Sequence, residues 1–148
     1  MTRINPHAGV FSAFEVAASG LTAERDRMTI VASNLANARS TRGADGRPFK
    51  RLDPVFEARP LGGGSSDPVL SQVMGVRVAE VRPDTQPGQL EYEPGHPDAN
   101  ADGYVEYPNV NVVTEMVNLM TASRAYEAGV ATIESVKAMA RSALKIGQ

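Results

Sequence analysis

Residues 112–146 read VVTEMVNLMTASRAYEAGVATIESVKAMARSALKI, and the rest of the predicted architecture is built around them. Two heptad series run through this stretch. One comprises Val112, Leu119, Tyr126, Ile133 and Ala140, and the other comprises Met116, Ser123, Val130, Lys137 and Leu144. A seven-residue apolar repeat is typical of a helix that packs along a second helix. Asn111 can cap its start, so the sequence predicts one long helix from Val112 to Ile146.

A second helix is predicted near the N-terminus, over residues 10–37. Its heptad series consists of Phe14, Leu21, Met28 and Leu35. Ser12 and Glu15 have the spacing of a capping box, which indicates that the helix starts there. An earlier first turn at Asn5-Pro6 is the alternative.

The segment between the two helices holds most of the Pro and Gly residues, which interrupt helices and separate short strands. Asp45-Gly46 is typical of a tight turn, and residues 62–66 of a mobile loop tip. The strand candidates are residues 49–58, 73–82, 90–92 and 104–107.

The predicted fold class is therefore α+β. Two long terminal α-helices pair as a coiled-coil-like core, and a small β-rich insert lies between them. Residues 1–40 form the N-terminal helix of the core domain, residues 41–111 the β-rich insert and extended arm, and residues 112–148 the C-terminal helix of the core domain.

Both helices carry more apolar residues than one seam can cover. The residues that cover a wider arc than one seam are Met28, Ile30 and Val31 in the first helix and Val117, Val130 and Val136 in the second. Such residues favour contacts with other chains. A compact helical hairpin folded back on the insert is the alternative.

The composition excludes several classes of function. The chain has 148 residues, 42% of them hydrophobic and 22% charged, which fits one ordinary soluble domain. It has no Cys, which removes thiol chemistry and thiolate metal sites, and its net charge of −2 argues against a dedicated nucleic-acid binder. No apolar run is long enough to cross a membrane, so we expect no membrane-spanning segment.

The charges are unevenly distributed along the chain. Residues 1–52 carry a net charge of +4, residues 53–111 of −7 and residues 112–148 of +1. A basic cluster follows the first helix, and we interpret it as a site that binds the acidic middle of another copy; a solvated loop is the alternative. The cluster consists of Arg39, Arg42, Arg47, Lys50 and Arg51.

One segment resembles a metal site. Asp98, Asn100, Asp102 and Gly103 match the first half of a calcium loop, but Asn109 stands where a bidentate carboxylate is needed. Asp, Asn and Gly in this density are also ordinary turn formers. The two histidines have no metal-ligand spacing and no catalytic motif is present, so we expect no enzyme activity, no small-molecule substrate, no cofactor and no metal.

Motifs at both ends of the chain are similar to those of a known family. The segments 18–28 and 32–37 resemble the N-terminal motif of the bacterial flagellar axial proteins, and residues 124–128 fit the corresponding C-terminal motif. Residues 92–105 and 107–116 are similar to a basal-body rod protein of that family. One departure is Arg39-Ser40-Thr41, where the family more often has a second Asn before Thr.

The resemblance implies a structural subunit of the basal-body rod in the periplasmic space. Its partners would be copies of itself, neighbouring rod proteins and, in transit, the flagellar type III export apparatus, which would carry it without a cleaved signal peptide. A subunit of a different axial layer is the closest alternative, and a calcium-binding interaction module is a more distant one.

The helices would then contribute the assembly interface. Asn34 and Asn37 would cap or bridge between chains, or else close turns within one chain. The residues that we expect at the interface are Leu21, Met28, Asn34, Leu35, Asn37, Met116, Leu119, Tyr126 and Ile133.

Overall fold

The structure is a computed structural model with two long helices and four strands between them along the chain, which confirms the α+β prediction. It describes the backbone of residues 6–43, 45–61 and 72–146 and the side chains of residues 11–43, 45–61 and 72–145. The loop predicted at residues 62–66 lies outside the described residues. In chain order the elements are α1 (Pro6–Ala36), β1 (Leu52–Pro60), β2 (Met74–Pro83), β3 (Gln89–Tyr92), β4 (Tyr104–Tyr107) and α2 (Val112–Ile146).

The two helix starts differ in how well the sequence predicts them. Helix α2 begins at Val112 as predicted, and the Asn111 side chain caps it by accepting a hydrogen bond from the Thr114 amide at 3.0 Å. Helix α1 begins at Pro6, so the prediction that it starts at the Ser12 capping box is wrong, and the alternative of an earlier first turn that includes Pro6 is confirmed. Proline suits a first turn because its missing N–H would have no helical partner there. In the described part of the chain, neither helix is long and apolar enough to span a membrane.

The chain forms two compact units. Unit 1 contains residues up to 26, residues 56–79 and residues from 122 onward, and unit 2 contains residues 27–55 and 80–121. The first half of α1 therefore belongs with the second half of α2, and the second half of α1 with the first half of α2. The division into segments 1–40, 41–111 and 112–148 follows chain order and stays a prediction.

Strands β1 and β2 pair as a two-stranded ribbon. In unit 1, two close approaches hold the helices and the β1–β2 ribbon together. A Cβ atom on Gly129 of α2 would come within 2.7 Å of the Leu21 side chain of α1, so the two helices are in direct contact there. Gly75 of β2 is buried against Ser19 and Leu61, and the Ser19 hydroxyl accepts a hydrogen bond from the Val76 amide at 3.1 Å. The ribbon thus packs on α1 through small residues.

In unit 2, strand β4 of the antiparallel β3–β4 hairpin turns one face inward. Val105 and Tyr107 of β4 are buried, whereas Tyr104 and Glu106, which alternate with them, are exposed. This alternation is expected of a strand with one face on the core. The pairing register aligns Gln89 with Tyr107 and Tyr92 with Tyr104. The predicted tight turn at Asp45-Gly46 is confirmed, with Gly46 at a φ of 76° and its amide bonded to the Gly43 carbonyl at 3.0 Å.

Gly88 and Gly95 give a matched test of packing in unit 2. A Cβ atom on Gly88 would collide with the backbone carbonyl of Tyr107, which the hairpin pairing holds in place, whereas a Cβ atom on Gly95 would meet open space. We expect Gly88→Ala to lower the free energy of unfolding by about 1–3 kcal/mol, the usual cost of overpacking.

Urea unfolding monitored by circular dichroism measures this difference, with Gly95→Ala as the control that changes stability little. Equal urea midpoints for the two variants would show that the hairpin shifts to make room for a methyl group at position 88.

Candidate assembly surface

The first half of α2 carries an exposed apolar face. Val113, Met116, Val117 and Met120 are spaced i, i+3, i+4 and i+7, so they lie on one side of the helix. In that order, the four residues are 72%, 53%, 52% and 57% exposed to solvent. We call these four residues the apolar face of α2. A contiguous apolar face on a soluble chain is typical of a surface that another chain covers.

The opposite side of α2 is buried and contains a charged residue. Glu115 is 1% exposed and Ala122 is 0% exposed, while Leu119 on the same side is half-buried. A carboxylate removed from water costs several kcal/mol unless it is paired and hydrogen-bonded. The partners of Glu115 are therefore decisive for this part of the fold.

Both oxygens of the Glu115 carboxylate are hydrogen-bonded. Oε1 accepts from Nε of Arg51 at 2.9 Å and from Nδ2 of Asn118 at 3.3 Å, and Oε2 accepts from Nδ2 of Asn34 at 3.0 Å. These four residues, Asn34, Arg51, Glu115 and Asn118, all belong to unit 2, and we call them the Glu115 network. The network joins α1, the residue before β1 and α2.

Asn34 connects the network to the backbone of β1. Its Nδ2 also donates to the Leu52 carbonyl at 2.8 Å, and its Oδ1 accepts from the Leu52 amide at 2.8 Å. The side-chain amide thus pairs with Leu52 as a neighbouring strand would. Asn34 is 0% exposed, and all of these bonds are made within the chain. These bonds connect segments of one chain, which is one of the two roles that the sequence leaves open for Asn34. Contact of Asn34 with a neighbouring chain stays a prediction.

Arg51 is the cation of the network. It also contacts Asp53, with 3.2 Å between Nη1 and Oδ1, and its backbone amide donates to Oδ1 of Asn109 at 3.2 Å. Burial by itself lowers the pKa of Arg51. The hydrogen bond and the charge of Glu115, together with Asp53, outweigh this and raise its pKa overall, so the guanidinium keeps its charge.

The basic cluster after α1 finds acidic partners in the same chain. Nη2 of Arg39 lies 3.4 Å from Glu91, Nε of Arg42 lies 3.0 Å from Asp98 and Nζ of Lys50 lies 3.9 Å from Glu106. These three basic residues thus pair with the acidic middle of their own chain. The interpretation that the cluster binds the acidic middle of another copy stays a prediction.

The guanidinium of Arg39 has a second contact in the same region. It lies 4.9 Å from the centre of the Tyr107 ring, on its face, as a cation–π pair does. Tyr107 in turn donates from its hydroxyl to Oε2 of Glu93 at 3.2 Å. The basic loop and the β3–β4 hairpin are thus joined by both charge and ring contacts.

The segment that resembles a calcium loop, residues 98–103, folds as a series of turns held by its own side chains. The Asp98 carboxylate accepts a hydrogen bond from the Thr41 hydroxyl at 2.8 Å and pairs with Arg42. Oδ1 of Asn100 accepts from the Asp102 and Tyr104 amides, each at 2.9 Å. These oxygens close the chain on itself, as turn-forming residues do. Among the described residues, no three His, Cys, Asp or Glu side chains are grouped as a metal site would require.

The structure places the nine expected interface residues in three settings. Met116 is exposed on the apolar face of α2, and Asn34 is buried in the Glu115 network. Asn37 is half-buried, and its Nδ2 donates to the Ser33 carbonyl at 2.9 Å. The other six are half-buried: Leu21, Met28, Leu35, Leu119, Tyr126 and Ile133. Contact of any of these nine residues with neighbouring subunits stays a prediction.

The sequence predicts only part of the Glu115 network and of the apolar face of α2. Glu115, Val113 and Met120 are not among the residues that it places at the interface. The signal for the face was present, because 113, 116, 117 and 120 follow helical spacing. Val31 and Val136, which we expected to face other chains, are buried within this one. No local signal marks Glu115 as buried.

Comparisons with known protein families match two regions of the chain, one containing Asn34 and the other containing Glu115. A family model described as "Flagella basal body rod protein" matches residues 14–44, and one described as "Flagellar basal body rod FlgEFG protein C-terminal" matches residues 101–146. Proteins named flagellar basal-body rod protein FlgC are similar over nearly the whole chain. That of Escherichia coli O6:H1 is 45% identical over 91% of this chain and 96% of its own length.

The chain belongs to the FlgC family of flagellar basal-body rod proteins. The FlgC of Borreliella burgdorferi is 43% identical over 95% of this chain and 99% of its own length, and that of Bacillus subtilis is 38% identical over 93% and 98%. The two matched regions of this FlgC-family chain contain Asn34 and Glu115, respectively, so they meet in the Glu115 network. The second region also contains the apolar face of α2.

Asn34 and Asn37 offer a matched pair for testing the network in this FlgC-family chain. Replacing Asn34 with Ala leaves two backbone groups of Leu52 and one oxygen of Glu115 without this partner. We expect the free energy of unfolding to fall by about 3 kcal/mol or more, because each buried unsatisfied group costs about 1–3 kcal/mol.

Asn37→Ala, which removes a half-buried bond near the helix end, is the control and is expected to cost about 1 kcal/mol. Chemical unfolding of both variants makes the comparison. A loss at Asn34 no larger than that at Asn37 would contradict the assignment of Asn34 as a central partner.

Proposed function

We propose that this protein is a structural, non-enzymatic subunit of the flagellar basal-body rod. It assembles with copies of itself and with other axial proteins into the hollow shaft that crosses the periplasmic space. The observation that carries this proposal is the apolar face of α2, which the chain leaves exposed beside a fully buried polar network. Membership of the FlgC family supports the same assignment.

Burial of this face provides a driving force for assembly. A Val or Met side chain that is fully buried contributes about 1.5–3 kcal/mol relative to an exposed one. Two of the four side chains are Met, which is flexible and adapts its shape to different neighbours. A subunit with several neighbours in one shaft benefits from such a surface. Small residues at Ala125 and Ala128 of α2 also permit close approach of another helix.

We also propose that the chain reaches the rod through the flagellar type III export apparatus without cleavage of a signal peptide. Support comes from the family resemblance and from the absence of Cys in all 148 residues, since such a chain forms no disulfides when it enters an oxidising compartment. A subunit of a different rod layer is the nearest alternative. The extent of the similarity to FlgC proteins, over about 90% of the chain, favours the FlgC position.

An in-frame deletion with complementation tests the proposal. We expect the deletion strain to be non-motile and to lack rods, hooks and filaments in electron micrographs of basal bodies, because every later structure is built on the rod. Complementation with the wild-type gene restores them. Intact flagella in the deletion strain would overturn the proposal.

A substitution on the apolar face separates assembly from folding. Met120→Asp puts a charge on a surface that is exposed in the single chain and covered in the rod. We expect the purified variant to keep its circular dichroism spectrum and unfolding midpoint, while motility is lost because a buried unpaired carboxylate costs several kcal/mol.

Met120→Leu, which keeps the apolar character, is the matched control and is expected to remain motile. Normal swimming by the Asp variant would show that this face stays in water in the assembled rod.

A further inference from the structure

The first turns of α2 carry their most apolar side outward. The exposed side has Val113, Met116, Val117 and Met120, whereas the inward side has the buried Glu115 and the half-buried Asn118 and Leu119. Hydrophobic burial is not directional and scales with the apolar area removed from water. It therefore gives no reason for the inward side to be the one observed. Apolar packing alone does not determine which side of this helix lies inward.

Glu115 distinguishes the two sides. Only the observed orientation brings its carboxylate to Asn34 and Arg51, at 3.0 and 2.9 Å. In a rotated helix, Asn34 would lose a partner at a site that is 0% exposed. Buried polar groups are known to select one arrangement among several apolar ones at a cost in stability. We propose that the Glu115 network selects the inward side of α2.

This selection has a consequence for assembly, which rests on the proposed function. By fixing Glu115 and Leu119 inward, the network fixes Val113, Met116, Val117 and Met120 outward. Every copy then presents the same surface to its neighbours, as a regular shaft requires. The role of Glu115 is to position these residues, because it does not belong to the exposed surface itself.

Single cysteines report the orientation of α2, since the natural chain has none. Met120→Cys and Leu119→Cys are placed separately in two backgrounds, the natural one and the Arg51→Met/Glu115→Leu double variant. In the natural background, we expect a maleimide reagent to modify Cys at position 120 faster than at position 119, which is half-buried. In the double variant, we expect the ratio of these two rates to fall towards one, with the helical circular dichroism signal retained.

The control is the Arg77→Met/Glu57→Leu double variant, which makes the same two changes at an exposed ion pair with 2.8 Å between its nearest atoms. It should leave the rate ratio at its natural value. A natural ratio in the Arg51→Met/Glu115→Leu background would overturn the proposal, because apolar packing would then suffice to orient the helix.

Loss of the helical signal in that background would overturn the proposal as well, since the network would then be required for folding and not for selection. The measurement uses the isolated chain. Its failure would leave the proposed rod function untouched, and failure of the rod function would leave the measurement valid.

Discussion

The structure of unit 2 depends on keeping one carboxylate, that of Glu115, out of water without leaving it unpaired. The chain meets this requirement with donors from three places: Asn34 of α1, Arg51 just before β1 and Asn118 one turn along α2. Hydrogen bonds to a charged group are roughly twice as strong as neutral ones. Because Asn34 also pairs with both backbone groups of Leu52, the position of β1 relative to α1 follows from the same cluster. A polar constraint thus fixes segments that are far apart in sequence.

Apolar packing is comparatively sparse in the described part of the chain. Seven hydrophobic residues are buried there, whereas sixteen large hydrophobic residues are exposed. A soluble monomer usually buries most of its large apolar side chains, so this balance is that of a protein whose burial is completed by neighbours. The apolar face of α2 is the clearest case, because its four members share one side of one helix. Membership of the FlgC family of rod proteins agrees with such an exposed surface.

Electrostatic pairing organises the region between the helices. The basic residues that follow α1 meet the acidic residues of the β3–β4 hairpin and its turns, and Arg42 with Asp98 forms the closest of these contacts at 3.0 Å. Most of these pairs are exposed, so each contributes little to stability. Their combined effect is to hold the loop against the hairpin, together with the Arg39–Tyr107 ring contact. The turn residues Asp98 and Asn100, which resemble a calcium loop in sequence, use their oxygens for this local closure.

The sequence by itself determined the two helices, the strands between them and the family, because helical periodicity, Pro and Gly punctuation and local motifs depend on neighbouring residues along the chain. It also identified Asn111 as a cap and Asp45-Gly46 as a turn for the same reason. Only the tertiary structure decided that Glu115 is buried, that Asn34 bonds within the chain and that the basic loop pairs with its own hairpin. Those outcomes depend on which distant segments meet, and neither charge nor periodicity specifies that. The start of α1 belongs with the local features, because a first turn at Pro6 was the alternative to the capping pattern at Ser12 and the helix begins there.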